Sequence, residues 1–258
     1  MKLSVSNIAW PAEYDDEMLE FIQSLGFIGL EVAPTRLFLE SPYDKLDFAR
    51  VYAADLYSHH NLLVSSIQSV LFGIKQNFFL SDADRLFLVS YIHKAIDFAQ
   101  ALGCGNIVFG CPKNRVIQSM DQYGIAVDFF RELGEYAISR DTVLAIEPNP
   151  VIYGANFINT TAEAFSFVNN VNCPGCRVNV DLGTMIYNGE PLSILEQNVD
   201  LIHHIHLSEP NLVPIQPREL HKQLCRLSYN GYLSLEMKDP KDIGAVREAL
   251  IYMRGVVD

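Results

Sequence analysis

LAIEPN, at residues 144–149, places a carboxylate at the end of a short apolar run, and three later segments repeat this arrangement. They are VNVDLG at 178–183, IHHIHLSE at 202–209 and LSLEMK at 233–238. Side chains alternate between the two faces of a strand, so if the apolar residues face covering helices, the acidic or histidine residue of each run points inward. These inward residues are Glu147, Asp181, His206 and Glu236. We expect them to meet at one end of a closed parallel sheet.

Short β-rich runs alternate with segments of helical period along the chain, and no long Pro/Gly/Ser linker separates them. The predicted strands are 2–6, 28–33, 63–68, 105–110, 142–147, 177–181, 201–207 and 231–236. A helix opened by Asp15 and Asp16 follows the first strand, and 121–140 carries another amphipathic pattern. The length of 258 residues suits eight strand–helix units. The sequence therefore predicts an α/β fold, a single (β/α)8 TIM barrel, with residues 1–258 as one domain.

Composition limits the classes of partner. A net charge of −12 argues against broad binding of nucleic acid or of an anionic membrane, so we expect a small-molecule partner. The first residues lack a signal-peptide pattern and no apolar run is long enough to span a membrane, which predicts a cytoplasmic protein. The five cysteines are expected to be free thiols. Cys173 and Cys176 form a C-x-x-C that favours a structural turn over a zinc or redox site.

Three carboxylates that converge with an imidazole favour a divalent-metal site, because a buried carboxylate alone is costly. This mostly hard set of ligands suits Mn²⁺ or Mg²⁺, and zinc stays open. Any one of these residues alone would more simply be explained as a strand-end carboxylate in a surface ion pair. Their joint parity is what indicates the metal.

The chain resembles a known family in segments at the ends of the first five predicted strands. These segments are SNIAWP, GLEVAPTR, SIQSVLFG, VFGCPKNR and IEPNPVIYG. Together with the ordered quartet Glu, Asp, His and Glu, they are similar to the sugar phosphate isomerase/epimerase family of xylose-isomerase-like barrels. The resemblance implies one divalent metal ion (Mn, Mg, Co or Zn) held by Glu147, Asp181, His206 and Glu236. It also implies that Glu147 and Glu236 act as the catalytic acid/base pair.

Two positions depart from the family. Many of its epimerases carry a histidine where this chain has Thr184, and an arginine where it has Leu212. The leading interpretation is nevertheless a metal-dependent isomerase or epimerase that moves a proton beside a carbonyl through a metal-stabilised enediolate. The alternatives are a metal-dependent dehydratase or lyase and a barrel that binds a ligand without turnover. A nuclease is disfavoured, because the exits of strands three and four supply no histidines.

Further residues are candidates for substrate binding. Glu31 and Gln68 have inward parity, and either a substrate hydroxyl or a barrel ion pair accounts for Glu31. Asn7 lies in the first strand-end segment, where Trp10 suits either the apolar face of a sugar or plain core packing. Lys238 continues the inward series of the last strand and is a candidate to neutralise substrate charge.

Lys113 and Arg115 follow the fourth strand, where two cations would hold a phosphate or carboxylate of the substrate. A solvated loop or an ion pair is the alternative for both. His204 is expected in a second layer or in the core. Structural roles at helical or outward positions are expected for the other histidines: His59, His60, His93, His203 and His221. The sequence leaves the sugar, the metal and the oligomeric state open.

Overall fold

The computed structural model describes residues 1–257, apart from the side chain of Cys225. Eight parallel strands pair in chain order and close into a barrel, with β8 beside β1. The strands are β1 (Lys2–Ser6), β2 (Gly29–Val32), β3 (Leu63–Ile67), β4 (Asn106–Phe109), β5 (Val143–Ile146), β6 (Cys176–Asp181), β7 (Ile202–Leu207) and β8 (Tyr232–Leu235). The predicted (β/α)8 barrel is confirmed, and every predicted strand end lies within one residue of the observed one. The extent of the domain, residues 1–258, stays a prediction.

Helices surround the barrel. They are α1 (Asp15–Ser24), α2 (Pro34–Leu37), α3 (Leu46–His60), α4 (Asp82–Ala101), α5 (Tyr123–Ile138), α6 (Thr161–Val171), α7 (Leu182–Asn188), α8 (Ser193–Glu196), α9 (Glu219–Gln223) and α10 (Ile243–Val257). The acidic start of α1 matches the prediction, because carboxylates in a first turn favour the helix dipole. Within residues 1–257, no helix combines the length and the apolar character that crossing a membrane requires.

The two faces of the barrel wall differ in polarity. Apolar strand residues such as Leu144 and Ile146 have no exposed surface and belong to the core packed under the helices. The interior instead holds polar side chains that bond across strands: Asn106 Nδ2 donates to Ser66 Oγ at 2.9 Å. This inside-out pattern is what the alternation of side chains predicts. The interior of the barrel beneath the carboxyl ends of the strands is therefore polar.

The position of His203 differs from the expected outward one. Pairing of β6 with β7 skips this residue, since Val178 pairs with Ile202 and Asn179 with His204. Such a β-bulge re-aims the extra side chain. His203 Nδ1 consequently donates to Asn106 Oδ1 of β4 at 2.8 Å, across the barrel.

Cys104, Cys111, Cys173 and Cys176 are free thiols, as expected for these four positions. Cys173 and Cys176 are both buried at the amino end of β6. The side chain of the fifth cysteine, Cys225, lies outside the described residues.

Candidate active site

Three of the four predicted metal ligands converge on one point. The ring nitrogen Nδ1 of His206 lies 2.9 Å from Oε1 of Glu147 and 3.0 Å from Oε2 of Glu236. One ligand atom from each residue lies within 4.8 Å of the other two. His206 is fully buried, whereas the side chains of Glu147 and Glu236 keep 11% and 9% of their surface exposed. The two carboxylates are therefore the parts of this group that a small molecule can reach.

Amide groups hold the carboxylate of Glu147. Asn179 Nδ2 donates to Oε1 at 2.8 Å, and Asn149 Nδ2 donates to Oε2 at 3.1 Å. Gly110 lies against the same group, since a Cβ added there would stand 2.5 Å from Oε2. Sequence reasoning missed both asparagines. Asn179 had a usable signal, because it shares the inward parity of Asp181 on β6.

Glu31 lies behind His206 rather than in the open site. Its Oε2 accepts a hydrogen bond from Nε2 of His206 at 2.9 Å, and its Oε1 accepts one from Gln68 Nε2 at 3.0 Å. A carboxylate bonded to the far nitrogen of a metal-binding histidine fixes the tautomer and orientation of the ring. His204 also approaches Oε2 of Glu31, at 3.4 Å, and is buried as expected. Glu31 has no exposed surface, so the geometry favours the ion-pair interpretation over contact with a substrate hydroxyl.

Asp181 stands at the start of α7, where it is the N-cap. Its Oδ2 accepts hydrogen bonds from the backbone N–H and the hydroxyl of Thr184, at 2.9 and 2.6 Å, and its Oδ1 accepts one from the hydroxyl of Ser208. It therefore lies beside the group formed by Glu147, His206 and Glu236 without joining it. The departure at Thr184 thus has a structural role, since the hydroxyl that replaces a histidine positions this carboxylate.

The electrostatics of the site favour a cation. Burial raises the pKa of Glu236 to about 7, and the negative charges of Glu147 and Asp181 push in the same direction. Burial likewise raises the pKa of Asp181. For His206, burial opposes the positive charge, but Glu31 and Glu236 outweigh it and raise the pKa of the ring. Carboxylates that resist ionisation until a positive charge lies among them are typical of a cation site.

The chemistry of these donors fits a divalent metal. Two carboxylate oxygens and one imidazole nitrogen converge, and Glu31 orients the imidazole from behind. Asp181 would supply the fourth ligand of the predicted set.

Asn7 and Trp10 lie inside the protein, where they support the strand ends. Asn7 Oδ1 accepts a hydrogen bond from the backbone N–H of Ala33 at 3.0 Å, and only 3% of the residue is exposed. The indole N–H of Trp10 donates to Asp15 Oδ1 at 2.9 Å, and 2% of the residue is exposed. Between the two interpretations of Trp10, the structure favours core packing. Contact of either residue with substrate stays a prediction.

Lys113 and Arg115 do not form the expected pair of cations. Lys113 is exposed, whereas Arg115 has no exposed surface. One amino group of Arg115 donates to the backbone carbonyl of Glu147 and to Asn149 Oδ1, both at 2.7 Å. The chain is already buried at Asn114, the last residue of the short 3₁₀ helix Pro112–Asn114 that precedes Arg115. Lys238 lies three residues beyond β8 and is exposed, and its contact with substrate stays a prediction.

Tyr153 is a further site residue that no pattern in the sequence singles out. Burial raises the pKa of its hydroxyl to about 12, and the nearby charges of Asp181, Glu236 and Glu147 add to the effect. The hydroxyl accepts a hydrogen bond from the backbone N–H of Asn211 at 2.7 Å. The loops that follow β5 and β7 are therefore joined beside the carboxylates.

Comparison with solved structures finds barrels of the same shape. A 3-keto-D-glucoside 4-epimerase from E. coli shares 21% identity over 99% of both chains, with a TM-score of 0.79. A D-psicose 3-epimerase from Clostridium cellulolyticum H10 shares 17% identity over 100% of both chains, also with a TM-score of 0.79. An AP endonuclease of family 2 from Brucella melitensis shares 18% identity over 100% of both chains, with a TM-score of 0.77. At these identities the likeness establishes the fold alone.

A search of curated proteins found no match. The family model described as the xylose isomerase-like TIM barrel matches residues 19–256, which takes in β2 to β8 and nearly all of the surrounding helices. By this match over most of its length, and by the closed barrel that carries the site, the chain belongs to the xylose isomerase-like TIM barrel family.

Proposed function

We propose that the protein is a divalent-metal-dependent isomerase or epimerase of a sugar or sugar derivative. The observation that carries the proposal is the pair of partly accessible carboxylates, Glu147 and Glu236, that contact the same nitrogen of His206. Membership of the family and the epimerases among the structural neighbours support the substrate class.

Glu147, Asp181, His206 and Glu236 would hold the ion, one of Mn, Mg, Co or Zn. When bound, the ion polarises a carbonyl and its adjacent hydroxyl, which acidifies the intervening C–H bond. Glu31 and Gln68 act behind these residues, since Gln68 bonds to Glu31 and Glu31 to His206.

Proton transfer falls to the two glutamates. Removing a proton from carbon beside a carbonyl needs a base within reach, and forming the isomer or epimer needs an acid to return a proton. Glu147 is fixed by Asn149 and Asn179, which suits a group that must meet one carbon atom in one geometry. Glu236 contacts the same point and is the second acid/base group of the proposal.

The exposed lysines are the proposed contacts for an anionic group of the substrate. Lys113 and Lys238 follow β4 and β8, and both loops lie at the carboxyl end of the barrel, where sites of this fold are built. Arg115 is not included, because its guanidinium is buried against the protein.

The test is proton exchange on the reconstituted protein. Metal-free protein is loaded with Mn²⁺ and incubated in D₂O with ketoses, aldoses and their phosphates, and products are read by NMR. We expect an isomer or epimer carrying solvent deuterium, and a rate at least about 10²-fold lower in Glu147→Gln and in Glu236→Gln. Glu135→Gln, which removes an exposed carboxylate on α5, is the matched control.

Elemental analysis completes this test. The wild type should hold about one metal ion per chain, and His206→Ala and Asp181→Asn should lose it. Full metal content in both variants would exclude these residues as ligands. A product that has lost water would instead identify a dehydratase.

A further inference from the structure

The carboxylate of Glu147 is oriented by a chain of two buried residues that starts at Arg115. Nη2 of Arg115 donates to Asn149 Oδ1 at 2.7 Å, and Nδ2 of the same amide donates to Glu147 Oε2 at 3.1 Å. The same Nη2 donates to the backbone carbonyl of Glu147, also at 2.7 Å. Arg115 thus contacts Glu147 twice: directly at the backbone, and through Asn149 at the carboxylate.

The chemistry of the donors gives this chain one direction. A guanidinium has donors only, so Asn149 must turn its oxygen toward Arg115. Its NH₂ group then faces Glu147, where the ionised carboxylate has acceptors only. If Arg115 were absent, the amide could turn its oxygen toward Glu147, and two acceptors would face each other.

Burial makes the arrangement rigid. Arg115 has no exposed surface, and 6% of Asn149 is exposed. Asn149 is also fixed through its backbone, because its N–H donates to the carbonyl of Ile158 and its own carbonyl accepts from Asn159 Nδ2 at 2.8 Å. Buried polar groups that are bonded on both sides specify one conformation. The amide of Asn149 therefore has rotation of its side chain as its main remaining freedom, and Arg115 restricts that rotation.

We infer that Arg115 is a positioning residue that aims the Glu147 carboxylate through Asn149. The inference rests on the proposed function for the catalytic role of Glu147, but the orientation of the Glu147 carboxylate does not depend on catalysis. Both hydrogen bonds of this fully buried arginine come from Nη2 and end on Glu147 and Asn149, whereas its Nε and Nη1 are buried without a hydrogen-bond partner among the described residues. Lysine is a partial substitute, because its single ammonium cannot reproduce the planar fork of the guanidinium.

The first test is structural and needs no metal. Crystal structures of the wild type, Arg115→Met, Arg115→Lys and Asn149→Ala are compared at the Glu147 side chain. We expect its carboxylate to move by more than about 0.5 Å in Arg115→Met and Asn149→Ala, the tolerance of a working site, and to move less in Arg115→Lys. An unmoved carboxylate in Arg115→Met would overturn the inference. If that variant does not fold, Arg115→Gln is compared at the same carboxylate, and an unmoved carboxylate there overturns the inference.

The second test is the affinity of the protein for Mn²⁺, measured by calorimetry. Loss of a group that orients a ligand typically costs 10- to 100-fold in metal affinity, and we expect about that loss in Arg115→Met and in Asn149→Ala. Since one residue acts through the other, the double variant should lose less than the product of the two single losses. Multiplicative losses would show that the two residues act independently. Arg131→Met is the control. Arg131 lies on α5 and also donates to a backbone carbonyl, that of Val171.

The two tests separate this inference from the proposed function. If Glu147 moves in Arg115→Met while the wild type neither binds Mn²⁺ nor exchanges substrate protons, the positioning stands and the proposed function fails. If the wild type does both and Arg115→Met leaves the carboxylate and the Mn²⁺ affinity unchanged, the positioning fails and the proposed function stands.

Discussion

At the scale of single residues, the site depends on how closely neighbours approach Glu147. Gly110 leaves no room for a side chain, because a Cβ added there would stand 2.5 Å from Oε2 of the carboxylate. The space beside Oε2 is filled on one side by the Gly110 backbone and on another by the amide of Asn149. Glycine at this position is therefore a requirement of the site rather than of the turn.

Gly110→Ala should lower kcat/KM by about 10²-fold, because misplacing a reacting group by about 1 Å has an effect of that size. The added methyl group would stand 2.5 Å from Glu147 Oε2, so the carboxylate must move. The control is Gly105→Ala at the other end of β4, where nothing lies within 4 Å of the added Cβ. Steady-state kinetics compare the two, and equal activities would contradict this account of Gly110.

The sequence identifies the strand-end donors but not the groups that hold them. Alternation along a strand places Glu147, His206 and Glu236 inward, and the structure brings their ligand atoms together. Asn149 and Tyr153 lie beyond the strand, where no periodicity fixes a direction. Arg115 looks like a loop cation in sequence, and only its burial in the structure shows otherwise.

At the scale of elements, an ion pair between a half-exposed arginine and a buried glutamate holds the segment that follows β7. Glu209 is 2% exposed, and Arg218 Nε donates to its Oε1 at 2.6 Å. Between them, the backbone N–H of Asn211 donates to Tyr153, and the carbonyl of Leu212 accepts from the N–H of Lys238. The ion pair thus closes the segment 209–218, which contacts the segments that follow β5 and β8.

Arg218→Ala should lower the free energy of unfolding by about 2 kcal/mol, because it leaves the buried carboxylate of Glu209 without its cation. This value is below the usual loss for a buried pair, since the side chain of Arg218 is 38% exposed. Urea denaturation measures the loss, and adding Glu209→Gln to the variant should restore part of it. Arg50→Ala, which breaks an exposed pair with Asp47, should cost less than about 1 kcal/mol.

Strand positions follow from the sequence more closely than strand register does. Hydrophobic runs locate all eight strands, because each strand has to present apolar residues to covering helices. The bulge at His203 is set by pairing between β6 and β7, which no single segment encodes. The short helices α2, α8 and α9 were not predicted, since so few residues show no helical period.

At the scale of the whole molecule, the half-buried His203 and the buried His221 link stability to pH. Burial lowers the pKa of His203 and of His221 to about 4 in the folded protein. In the unfolded chain both would titrate near their ordinary value of about 6.5. The unfolded state therefore binds more protons between these values, and stability falls as the pH drops from about 6.5 toward 4.

His221→Gln should make this fall shallower, by about 1 kcal/mol between pH 7.5 and 5.5. The comparison uses the change in unfolding free energy with pH, so a uniform loss of stability in the variant does not affect it. The control variant is His59→Gln, which removes an exposed histidine of α3. An unchanged slope in His221→Gln would show that this histidine titrates normally in the folded protein.

Metal should stabilise the folded chain as a whole. If the site forms only in the folded state, Mn²⁺ at 100 times its Kd adds about 2.7 kcal/mol to the free energy of unfolding. Thermal unfolding with Mn²⁺ and with EDTA measures the difference, and His206→Ala should abolish it. A Mn²⁺ effect of equal size in that variant would place the binding elsewhere on the protein.

The first half of the barrel contributes groups that orient ligands carried by the second half. The proposed ligands Glu147, Asp181, His206 and Glu236 all follow or end strands β5 to β8. Glu31, Gly110 and Arg115, which set the direction of those ligands, come from β2 and from the turn after β4. A fragment of the second half alone would thus carry every donor atom, together with Asn149, Asn179 and Thr184, but would lack Glu31, Gly110 and Arg115. If the two halves were made as separate chains, Mn²⁺ binding would report their association, because closing the barrel and completing the site are the same event.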